Sequence, residues 1–124
     1  MPNEIMLNPM QVESEIIRLS GVLEERVSDY SSNIQAAAEA EAAWKRAFAQ
    51  AMIDVIASAG GTRMTVAERE ARVELLTTDD HRTHLVCAAL AKATKESLNA
   101  LDSQINALRT LAANQRHMIG GPGA

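Results

Sequence analysis

The chain has 124 residues, with 12 Lys and Arg against 16 Asp and Glu, a formal charge of −4. That length suits one domain and excludes two ordinary ones. Apolar residues reach 47% while aromatics are only 2%. This balance excludes β-sandwiches and barrels, which draw on aromatic and β-branched residues, and equally a solvated coil.

The first element in chain order is a long helix over 9–58. Asn8 is placed to cap it, and Pro9 suits its first turn, where a missing N–H costs nothing. Apolar residues then recur at Val12, Ile16, Leu19, Leu23, Val27, Tyr30 and Ile34, continuing through Ala37, Trp44, Phe48, Met52 and Val55. Steps of three and four are helical and near-heptad. Gly21 or Ser31-Ser32-Asn33 is where a bend is expected. The stretch Ala36 to Ala43 is rich in alanine, which admits close neighbours on several faces.

Gly60-Gly61-Thr62-Arg63 ends this helix. Thr65-Val66-Ala67-Glu68 reads as a capping box, in which the Thr hydroxyl and Glu carboxylate each satisfy an orphan backbone N–H. A short connector helix over 65–77 follows, then a break and cap at Thr77-Thr78-Asp79-Asp80. The last helix is expected over 80–118, with Thr94, Leu98, Leu101, Ile105, Leu108, Ala112, Gln115 and Ile119 in strict 4-3 alternation. Gly120 is expected to stop it, leaving 119–124 as a flexible tail. The fold is therefore an all-α, elongated antiparallel helical hairpin, coiled-coil-like, forming a single domain over 1–124. Two such helices cannot cover all of each other's apolar surface, so a self-associating homo-oligomer is expected. Its interface is assigned to Leu98, Leu101, Ile105, Leu108 and Ala112.

Cys87 is the sole cysteine, so no intramolecular disulfide forms. No apolar run is long enough to span a membrane, and the Met-Pro-Asn-Glu-Ile-Met start lacks the basic and apolar regions of a signal peptide. No membrane partner and a cytoplasmic location are expected. His81-x-x-His84-x-x-Cys87 has metal-like residue types, but three ligands on one helix splay apart. The expected arrangement is a buried thiol in a seam of Leu85, Val86, Ala88, Ala89 and Leu90, with two surface imidazoles and no metal. Asp79-Asp80 reads as a cap rather than a catalytic pair. Gly60-Gly61-Thr62-Arg63 has no preceding strand and no following Lys-Ser/Thr, so it fails as a nucleotide loop. No catalytic residues and no cofactor are expected.

The charge is unevenly spread. Residues 1–59 hold 4 basic and 9 acidic groups, whereas 82–117 hold 5 basic and 2 acidic. Glu41–Lys45, Glu68–Arg72 and Lys92–Glu96 are spaced to pair along a helix. Arg109 and Arg116, seven apart, have no acid four residues away and suit phosphate contacts. Lys45 and Arg46 beside Trp44, with Lys92 and Lys95, complete a candidate nucleic-acid surface.

The order of parts resembles the UvsY-like recombination mediators of tailed bacteriophages over roughly residues 36–118. The likeness rests on the Ala/Glu-rich half of the first helix, the glycine break and the Ala67-Glu68-Arg69-Glu70-Ala71-Arg72 connector. It continues through the Thr-Asp-Asp step and the run Leu101-Asp102-x-x-x-x-Ala107-Leu108-Arg109-x-Leu111-x-x-Asn114. The resemblance implies a non-enzymatic oligomer that binds single-stranded DNA in the host cytoplasm. It also implies partners: a RecA-like recombinase, which it helps to load, and single-strand-binding protein. This chain departs from the family in having only Lys45 and Arg46 where several basic residues precede the glycine break. The competing expectation is a coiled-coil structural or assembly protein that binds no nucleic acid.

Overall fold

The computed structural model describes residues 7–120, with side chains described as far as Met118. Its described residues form three helices: α1 (Pro9–Ser58), α2 (Val66–Leu76) and α3 (Thr78–Gly120). The long helices α1 and α3 pack against each other as an all-α helical hairpin.

Local chemistry explains the boundaries. Asn8 Oδ1 accepts from the Gln11 N–H at 2.8 Å, and Gln11 Oε1 accepts from the Asn8 N–H at 2.9 Å. This reciprocal pair satisfies two donors at the start of α1. Neither Gly21 nor Ser31–Asn33 interrupts the helix. At its far end Gly60 and Gly61 take φ of +59° and +86°. A Cβ on either would meet open space, so the backbone dihedral, not crowding, selects glycine here. Thr65 and Glu68 form the expected capping box, at 3.1 and 3.4 Å.

The break between α2 and α3 is narrower than expected. Thr77 alone makes it: its N–H bonds back to Val73 and Glu74, its Oγ1 donates to Val73 O at 2.9 Å, and it is 1% exposed. Helix α3 therefore starts at Thr78, and Asp79 and Asp80 lie inside its first turn, where carboxylates face the positive helix end. Gly120 does not stop α3 but belongs to it. The rest of the expected flexible tail lies outside the described residues.

The backbone groups into two compact units: Met1–Asp29 with Thr94–Ala124, and Tyr30–Ala93. In the first, α1 and α3 run antiparallel, tied by Gln115 Nε2 to Leu7 O at 2.8 Å and by Arg26 to Ser97 Oγ at 2.7 Å. Val12, Leu19 and Ile105 are its buried apolar residues. In the second, α2 lays Val73 against Ala51 and Val55 of α1, flanked by Phe48, Met52 and Met64.

Three assignments change. Leu98, Leu101, Leu108 and Ala112 are half-buried and Ile105 is 1% exposed, so this stripe is used within the chain, against α1. Val27 and Ile34 are exposed, because the register positions one residue earlier are held by Arg26 and half-buried Asn33. The seam at the start of α3 is also reversed. His81, His84 and Cys87 are half-buried, while Leu85, Val86, Ala88, Ala89 and Leu90 are exposed. Counting back from Leu98 in heptads puts His84 on the inward line and Leu85 and Val86 beyond it.

Candidate nucleic-acid interface

In the unit Tyr30–Ala93, Trp44 is the centre of an aromatic cluster. Its ring lies parallel to His81 and His84, with centroids 4.4 and 5.1 Å away and planes within 10°. The two imidazoles are 6.5 Å apart, closer than rings on opposite faces of one indole could be. Both therefore lie along the same face of Trp44. Phe48 meets the indole edge-on at 6.4 Å. Glu74 of α2 holds His81 Nδ1 at 2.8 Å, so three helices fix the plane of the indole. Trp44 Nε1 and His84 Nδ1 are closed to solvent and have no hydrogen-bond partner among the described residues.

Trp44, Lys45 and Phe48 line an open cavity of about 260 Å³. The Lys45 ammonium sits 3.1 Å from Glu41 Oε1, as its i,i+4 spacing requires. That hydrogen bond, reinforced by the charge of Lys45, holds the Glu41 carboxyl below its ordinary value. Among the described residues, neither Glu68–Arg72 nor Lys92–Glu96 forms. The Glu68 carboxylate is occupied by the Thr65 N–H, which takes it away from Arg72. Arg46 is exposed next to Lys45 but does not line the cavity, and Lys92 is exposed on α3.

In the unit Met1–Asp29 with Thr94–Ala124, Arg109 and Arg116 line one groove of about 350 Å³. Glu13, Ile16 and Ile17 of α1 form its opposite wall, and Ala112 and Gln115 also border it. Neither arginine has an ion pair among the described residues. Lys95, Asp102, Arg109 and Arg116 follow one another at intervals of seven, hence on one line of α3. Asp102 accepts from Asn106 Nδ2 at 3.4 Å. The candidate residues thus fall into two sets: Trp44, Lys45, Arg46 and Lys92 in one unit, and Lys95, Arg109 and Arg116 in the other.

A third basic feature was absent from the sequence-based site. Arg63 and Arg69 line a cavity of about 330 Å³ with Ile56, Gly61 and Met64 at the turn between α1 and α2. The Gly60-Gly61-Thr62-Arg63 run is its signal in the sequence, a turn between two helices rather than a strand-led nucleotide loop.

Among the described residues, no helix is long and apolar enough to cross a membrane. Nor is any group of three or more His, Cys, Asp and Glu side chains arranged to hold a metal ion. No protein-family model matches this chain, and no curated protein or solved structure compared with it is a significant match.

Proposed function

We propose that this chain is a non-enzymatic protein that binds single-stranded nucleic acid as a homo-oligomer. The observation that carries the reading is the groove of Arg109 and Arg116, two guanidiniums without ion pairs among the described residues, on a line shared with Lys95. Unpaired arginines so spaced can neutralise successive phosphates, and contacts to the backbone are indifferent to base sequence. The apolar cavity of Trp44 and Phe48, with Lys45 at its border, supplies a place for a base against an aromatic wall beside a cation. Oligomerisation sets several such surfaces side by side, which offsets the −4 charge of a single chain. The resemblance of the sequence to UvsY-like mediators supports a narrower role, loading a RecA-like recombinase onto DNA covered by single-strand-binding protein.

Fluorescence anisotropy with a labelled thymidine oligonucleotide at two salt concentrations tests this reading. Binding should weaken steeply with salt and change little with base composition. Arg109→Ala with Arg116→Ala should weaken it and reduce the log–log salt slope by about 1.4, since each single-strand phosphate contact releases ~0.7 counterion. Absence of binding in low salt favours the second reading, a coiled-coil assembly protein. The exposed apolar residues of α3 support that alternative.

A further inference from the structure

Residues 83–91 of α3, Thr-His-Leu-Val-Cys-Ala-Ala-Leu-Ala, contain no Lys, Arg, Asp or Glu over two and a half turns of helix. Only His84, Cys87 and Ala91 turn inward. Leu85, Val86 and Leu90 remain 55%, 60% and 53% exposed, with Ala88 and Ala89 exposed between them. A solvated helix face of this length normally carries charge. The composition is that of a covered seam, yet among the described residues these large side chains stay more than half exposed.

We infer that this charge-free face of α3 is where two copies of the chain meet, α3 against α3 about a two-fold axis near Ala89. Two considerations select a second copy. The face alternates large Leu85, Val86 and Leu90 with small Ala88, Ala89 and Ala93, so knobs of one copy meet holes of the other when the helices cross antiparallel. Finally, the lack of charge over 83–91 brings no like-charge repulsion to an isologous contact, in which residue i of one copy meets residue j of the other and j meets i. The inference rests on the self-association in the proposed function and is independent of nucleic-acid binding.

Sedimentation equilibrium of the full chain at micromolar concentration, without nucleic acid, is the test. The wild type should show at least twice the 13.4 kDa chain mass. Leu85→Asp with Leu90→Asp should return it to the chain mass with unchanged helicity, because both positions face solvent within the chain. In a Cys87→Ser background, Ala89→Cys should form an interchain disulfide under mild oxidation, whereas Glu70→Cys on α2 should not. A wild type at 13.4 kDa throughout overturns both the inference and the self-association. An oligomeric wild type whose mass survives the double substitution, with Ala89→Cys left uncross-linked, overturns the face assignment alone.

Discussion

Trp44 combines two environments that its place in the sequence does not separate. One face is fixed by His81 and His84, and the residue also borders a cavity with Lys45 and Phe48. The anchor is what would make it useful to a ligand, since an indole held by three helices loses little freedom when a base packs on it. Glu41 reports on the neighbouring lysine. Its carboxyl is held below the ordinary range first by the Lys45 hydrogen bond. Lys45→Ala should therefore raise the Glu41 titration midpoint toward that of an unperturbed Glu, as followed by side-chain carboxyl NMR. A depressed folded-state value adds stability above the ordinary carboxylate range and loses it as pH falls through the folded value. Because the pair is exposed, acid should change stability there very little. Glu15 has the same dependence on Arg18, its hydrogen-bond and ion-pair partner.

At the scale of elements, terminal chemistry decides where helices begin, and register decides what they bury. Asn8-Pro9, Gly60-Gly61 and Thr65-x-x-Glu68 act through adjacent backbone groups, so the bounds of α1 and the start of α2 were readable in the sequence. Thr77 was not readable as a one-residue break, because the hydrogen bonds that bury it come from a helix already in place. The exchange of Val27 for Arg26 and of Ile34 for Asn33 has a similar cause. Hydropathy favours the valine and isoleucine, but the 4-3 register set by Val12, Leu19 and Ile105 falls one residue earlier. The same continuation turns His84 inward and Leu85 outward. Arg109 and Arg116 could be paired from their spacing alone, whereas the stack on Trp44 depends on residues about forty positions apart. Two substitutions measure these elements by urea denaturation. Thr65→Ala should cost about 1 kcal/mol, the usual worth of an N-cap hydroxyl. Ile105→Ala should cost ~2–5 kcal/mol, because it empties a site that is 1% exposed.

For the whole molecule, α3 distributes its side chains over three lines. Thr94, Leu98, Leu101, Ile105, Leu108 and Ala112 face α1; Lys95, Arg109 and Arg116, with Asp102 between the first two, form a second line; Leu85, Val86 and Leu90 leave an uncharged face. The first line supports the hairpin, the second the proposed contact with phosphates, and the third the proposed contact with a second copy. The proposed binding of a polyanion by a chain of net charge −4 rests on Arg109 and Arg116 standing apart from the acidic residues of α1 other than Glu13. Sedimentation velocity with a fluorescent single-stranded oligonucleotide tests the combined proposal most directly, since one run reports particle mass and bound strand together. The account predicts that the oligonucleotide co-sediments in low salt with a particle of at least two chains and is released as salt rises. A 13.4 kDa species that leaves the oligonucleotide free in low salt would contradict it.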